Sequence, residues 1–196
     1  DKKKINNKNY FLIKNLKELD QWIAEAEENG EIAIDTETSS LDPHQADLIG
    51  ISLCTKIGKA CYLPIGHMNG KNLNKKEVIE KLKPILEDRS IKKIGQNIKF
   101  DFIVMYKQGI KMNSMEDTML MSYVLDAGKN RHNMDLLSEI HLNHKTITFK
   151  DLVGSGKKQI NFTAVDVIKA KDYAAEDADI TFRLYQIFFE SLKNEK

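Results

Sequence analysis

Apolar residues in this chain recur with two periods, and the switches between them mark its elements. Leu16, Leu19, Ile23 and Ala26 follow helical spacing, opened by an Asn15/Glu18 capping pair and closed by Asn29-Gly30. Residues 10–13 ahead of them read as a short edge strand. Strands are predicted over 31–36, 46–55 and 59–65, the last two joined by a Lys56-Ile57-Gly58 turn and therefore antiparallel. A second capped helix starts after Asn74 and runs through Val78, Ile79, Leu82 and Leu86, with Pro84 expected to kink it. A strand at 91–95 follows. Beyond it the pattern turns helical, over 101–108, 117–125, 134–142 and about 165–193, with no internal repeat. This order predicts an α/β fold, a mixed β-sheet flanked by helices.

Size agrees with that picture. With 196 residues, 41% of them hydrophobic, the chain suits one core, expected over residues 10–196. Residues 1–9 are Lys- and Asn-rich and are expected to form a flexible leading segment. The net charge of +1 gives no global basic field, so any nucleic acid must be gripped locally. Cys54 and Cys61 show no CxxC or zinc spacing and are expected to be buried free thiols of a reducing compartment. No apolar run approaches the roughly 20 residues that span a bilayer, which predicts a soluble protein of the cytoplasm, with no membrane partner. Lys greatly outnumbers Arg, which occurs only at 89, 131 and 183; this reads as compositional bias.

Chemistry enters where carboxylates occupy positions that a core strand would fill with apolar residues. Asp35 and Glu37 are two apart in a strand, so they share a face at its carboxyl end. Two adjacent carboxylates repel unless a cation or a raised pKa offsets them, and hard cations such as Mg²⁺ or Mn²⁺ take oxygen ligands. A lone D-x-E reads better as a solvated strand end with a turn cap, so further carboxylates decide the matter. Asp101 offers a third where a strand enters a helix, a place where its charge would also simply favour the helix dipole. Tyr173 and Asp177 are four apart on one helical face, among Ala174, Ala175 and Ala178, whose small side chains imply close packing rather than a solvated acidic face. A phenol and a carboxylate so placed suit a water-positioner and a metal ligand.

Together these residues resemble the three motifs of the DEDD exonuclease superfamily, which has an RNase H-like fold: D-x-E, a central Asp, then Y-x-x-x-D. The tyrosine four before the last Asp is that of the DEDDy branch. The similarity extends through Asp35-Thr-Glu-Thr-Ser-Ser-Leu-Asp42, Gly95-Gln-Asn-Ile-Lys-Phe-Asp101, Arg131-His-Asn-Met-Asp135, His144-Lys-Thr-Ile-Thr-Phe149 and Tyr173-Ala-Ala-Glu-Asp-Ala-Asp179. On these the chain resembles the 3′–5′ exonuclease domain of bacterial DNA polymerase I, departing where Phe100 replaces a common Tyr.

The resemblance implies a proofreading hydrolase with two divalent cations, Mg²⁺ or Mn²⁺, with Zn²⁺ able to stand in for them in crystals. Asp35 would bridge both cations, Glu37 and Asp177 complete the first site, Asp101 hold the second, and Tyr173, helped by Glu37, orient the attacking water. Leu41 and Phe149 match positions that pack on terminal bases. Gln96, Asn97 and Arg131 match positions that contact the last nucleotide or its phosphate. The implied partners are a single-stranded DNA 3′ end and a polymerase domain of the same, longer polypeptide, with the isolated domain a monomer. The rival readings are an exoribonuclease of the RNase D kind and a catalytically inactive structural module of a polymerase. Gly154-Ser-Gly-Lys-Lys158 lacks the residues of a phosphate loop and is expected to be a flexible basic loop. His141 and His144 are expected to be structural rather than metal ligands, Asp117 a helix cap and Asp179 a supporting residue, while His67 and His132 carry no clear signal.

Overall fold

A computed structural model describes residues 5–194. Its centre is a six-stranded mixed sheet in the order β1-β4-β3-β2-β5-β6, made of Tyr10–Leu12 (β1), Glu31–Thr38 (β2), Leu48–Lys56 (β3), Lys59–Pro64 (β4), Lys92–Gly95 (β5) and Met115–Asp117 (β6). Strands β2, β3 and β4 are antiparallel, β3 and β4 joined by the short turn that the sequence predicts and β2 and β3 by residues 39–47, whereas β1, β5 and β6 join in parallel.

Helices cover both faces. Leu16–Asn29 (α1), Lys75–Glu87 (α2) and Ile98–Lys107 (α3) bury Leu19, Trp22, Leu82 and Val104 against Ile32, Ile34 and Leu53 on one side. On the other lies the 28-residue Val167–Asn194 (α7), flanked by Thr118–Asp126 (α4), Met134–Leu142 (α5) and Phe149–Val153 (α6). Ala60, Cys54 and Ala33 form a row of small residues across β4, β3 and β2, and Ala175 and Ala178 of α7 belong to the same core cluster. Small side chains on both surfaces let the helix approach the sheet, which brings Asp177 to the strand that carries Asp35. Both cysteines are buried and free.

Long-range contacts correct several local readings. The helix expected from Asp101 starts three residues earlier, at Ile98. Its exposed amides are capped from afar: the Asp117 carboxylate accepts from the backbone N–H groups of Asn97 and Ile98 while also capping its own helix through Met119. Strand β6 and helix α6 carry too few residues for a periodic signal. The basic stretch near Gly154 is exposed and carries a 3-10 turn over Gly156–Lys158. Pro84 lies inside the last turn of α2 and its carbonyl accepts from Asp88. Residues 1–4 of the segment expected to be flexible lie outside the described residues; within the rest, Ile5 packs on the α7-side core and the Asn7 amide donates to Asp172.

Asp179, fully buried on α7, fastens three parts of the chain. Its carboxylate accepts from the Tyr10 hydroxyl at 2.7 Å, the Gly58 backbone at 2.7 Å and Arg183 Nε at 3.0 Å. Asp179→Ala leaves those donors unpaired and should destabilise the fold by about 3 kcal/mol. Urea denaturation would measure it, and a change below about 1 kcal/mol would show that the clasp contributes little.

Candidate active site

Strand β2, helix α3 and helix α7 converge at the carboxyl end of β2. Asp35 and Glu37 project to the α7 face, and one oxygen from each, with one from Asp177, lie within 4.8 Å of one another. Asp101 reaches the site from α3, where its Oδ1 accepts from the Thr36 backbone N–H at 2.9 Å and the Thr36 hydroxyl at 2.6 Å. It therefore sits beside the set of three rather than within it.

The electrostatics follow from crowding. Burial pushes Asp35 up to about 7. Burial, with Asp35, Asp177 and Asp101 as neighbouring charges, holds Glu37 well above the usual carboxylate range, and Asp177 and Asp101 are raised in the same way, by burial and then by Asp35. Two buried side-chain polar atoms lack a hydrogen-bond partner among the described residues, Glu37 Oε1 and Ser52 Oγ, and Ser52 is the cross-strand neighbour of Asp35. An orphaned carboxylate oxygen amid like charges fits a cation with oxygen ligands, so the donor set suits a divalent metal.

Tyr173, one turn before Asp177, is raised far above its ordinary pKa by burial and then by the Asp177, Glu37 and Asp35 charges. It stays a phenol at any working pH, a donor and acceptor but not a base. Its ring packs against Phe149 and Phe162, with centroids 6.3 Å away in each case.

These groups lie in a cleft of about 860 Å³ that Leu41, Gln96, Asn97 and Phe149 also line. Leu41 is 92% and Phe149 42% exposed, so neither is a core residue. Leu41 stands on a turn held by reciprocal bonds between Ser39 and Asp47 and by Asp42, whose side chain accepts from the His44 backbone. Gln96 is partly committed to structure: its amide donates to the His132 carbonyl and its oxygen accepts from Thr118. Asn97 has left-handed backbone, φ 57°, at the head of α3. Arg131 is exposed on the loop between α4 and α5 and does not line the cleft. That loop is tied to the site through the bond from Gln96 to the neighbouring His132.

Sequence reasoning missed several wall residues. Gln159, Ile160 and Asn161 close one side, and the Asn161 amide donates to the Ser39 carbonyl across to the Leu41 turn. Glu176, beside Asp177, accepts from the Ile147 backbone at 2.6 Å and faces His144 Nε2 at 2.8 Å, which fastens the segment leading to Phe149 onto α7. His144 is thus structural. Phe162 left no signal, because periodicity does not reveal which ring meets Tyr173 in space.

A family described as 3′–5′ exonuclease matches residues 10–193. The chain is 44% identical over 91% of its length to DNA polymerase I of Rhizobium leguminosarum and 42% identical over 89% to DNA polymerase I of Pseudomonas aeruginosa, spanning 20% of the length of each. Among solved structures, Brucella melitensis NrnC superposes with a TM-score of 0.70 at 25% identity, covering 94% of this chain and 82% of the other.

Proposed function

Because this chain belongs to the 3′–5′ exonuclease family, we propose that it removes nucleoside 5′-monophosphates from unpaired 3′ ends of DNA, as the proofreading part of a DNA polymerase I. The observation that carries this reading is the meeting of Asp35, Glu37 and Asp177 beside Tyr173, in a cleft whose edge exposes Leu41 and Phe149. Residues 10–196 are taken as the exonuclease unit, acting as a monomer when isolated. A polymerase portion of the same polypeptide, in a bacterial cytoplasm, would deliver the strand; no described helix is long and apolar enough to cross a membrane.

Asp35, Glu37 and Asp177, with Asp101 alongside, would hold two divalent cations, Mg²⁺ or Mn²⁺, which when bound stabilise charge on the attacking and leaving oxygens. The chain's own groups supply orientation. The Tyr173 hydroxyl and Glu37 direct a water in line with the scissile phosphorus; the new O–P bond forms as the P–O3′ bond breaks, the attacking water gives up one proton to solvent, and the departing O3′ takes one proton from solvent. Thr36 holds Asp101 Oδ1 through two hydrogen bonds, which orients that carboxylate beside the other three. Leu41 and Phe149 pack on the last bases without reading their edges, and Gln96, Asn97 and Arg131 are proposed to contact the terminal nucleotide or its phosphate.

Digestion of labelled DNA tests the reading. Single strands and mismatched 3′ termini should be shortened faster than matched ends, because freeing a paired nucleotide costs a few kcal/mol. Phe149→Ala should raise KM by about tenfold, since stacking contributes about 1–3 kcal/mol per base. Equal rates on matched and mismatched ends, or release from 5′ ends, would overturn it. Faster digestion of RNA than of DNA would favour an exoribonuclease.

A further inference from the structure

Behind the carboxylates lies a second buried set of polar and aromatic groups that the chemistry above does not use. Tyr62 on β4 has no exposed surface, and a Cβ added to Gly50 would stand 2.0 Å from its hydroxyl. Gly50 pairs with Glu37 across β2 and β3, and directly opposed residues of an antiparallel pair project to one face. The phenol therefore fills the slot beside Glu37 that a side chain at position 50 would occupy.

Its hydroxyl lies 2.7 Å from His67 Nε2, and His67 Nδ1 lies 3.2 Å from the Val165 carbonyl oxygen. A carbonyl only accepts, so Nδ1 carries the proton, Nε2 accepts and Tyr62 donates. Burial holds the imidazole below its ordinary pKa, in keeping with this neutral form. The backbone is fastened too: His67 N–H donates to Asn72 Oδ1, the Asn72 amide returns to the His67 carbonyl, and Met68 N–H donates to Thr163. The imidazole stands edge-on to Tyr62 at 5.8 Å and 5.7 Å from Phe162. Phe162 lies 6.3 Å from Tyr173 and, nearly parallel, 6.4 Å from Phe149.

We propose that Tyr62 and His67 are positioning residues for hydrolysis, which hold Phe162 as the wall against which Tyr173 is aimed; this rests on the reading of the site as hydrolytic. A close-packed interior transmits displacement rather than absorbing it, and a shift of about 1 Å in a reacting group can cost about 10²-fold. Neither residue needs to touch substrate to matter. A buried pair that only stabilised the fold would lower the melting temperature and leave Tyr173 correctly placed.

The test is a double-mutant cycle in the full chain, followed by hydrolysis of a 3′-labelled single-stranded oligonucleotide with Mn²⁺. Tyr62→Phe and His67→Leu should each lower kcat about tenfold with KM within about twofold, and His67→Gln, which keeps a donor and an acceptor, should recover part of the loss. In a Tyr173→Phe background the same substitutions should lower kcat no further, since the group they aim is gone. Losses of equal proportion in both backgrounds, or an unchanged kcat alongside a lowered melting temperature, would overturn the proposal. A 3-fluorotyrosine placed at 173 reads the aim without turnover. Its ¹⁹F resonance should move on Tyr62→Phe, and an unmoved resonance would overturn the proposal even if wild-type protein proved unable to digest 3′ ends, a result that would sink the hydrolytic reading instead.

Discussion

Asp177→Asn should reduce exonuclease turnover by at least about 10³-fold and, at the same time, raise the melting temperature of the metal-free protein. Asparagine keeps the shape of the side chain, so helix packing over Ala174 and Ala178 is preserved. It removes one of three acidic groups whose oxygens lie within 4.8 Å of one another. Metal ions contribute several kcal/mol of transition-state charge stabilisation, and each 1.4 kcal/mol or so lost is about tenfold in rate. The stability gain has the same origin, because Asp177 is raised by burial and by the Asp35 charge, and both costs disappear with the neutral amide. Calorimetry beside a nuclease assay reads both effects. Near wild-type turnover in Mn²⁺, or a lowered melting temperature without metal, would contradict the assignment.

Without metal, stability is expected to fall as pH rises from about 4 to above 7, the reverse of the usual acid-denaturation pattern. All four site carboxylates have raised folded-state pKa values. In the unfolded chain they ionise near 4, so between that pH and the folded value the native state binds more protons and each step up in pH favours unfolding. For Asp35, held at about 7, the cost above that pH is on the order of 4 kcal/mol, at about 1.4 kcal/mol per tenfold change in acidity. Glu37, Asp101 and Asp177 are raised as well, so the trend has the same sign at every carboxylate of the site. Mg²⁺ or Mn²⁺ should offset part of this loss, by about 2.7 kcal/mol at a hundred times the dissociation constant, and most strongly at high pH, where the ligands are already ionised. Melting curves from pH 4 to 8 with and without metal would show it. A metal-free stability that rises across this range, or a metal effect that does not grow with pH, would refute it.

Local sequence alone determined the strand pair and capped helices of the first half, the small-residue face of α7 and the shared faces of Asp35 with Glu37 and of Tyr173 with Asp177. Each follows from a period of two or of 3.6 within a single element, which is covalent geometry and needs no partner. The resemblance to the family rests likewise on short motifs. Tertiary structure alone decided where α3 begins, because Asp117 caps it from 19 residues away in the chain. It also decided that Asp101 is occupied by Thr36, that Arg131 stands outside the cleft while Leu41 and Phe149 are exposed at it, and that His67 belongs to a buried array leading to Tyr173. In each case the partners lie on different elements, and what unites them is the order and register of strands and the depth at which α7 settles on the sheet, which are properties of the packed chain rather than of any one stretch of it.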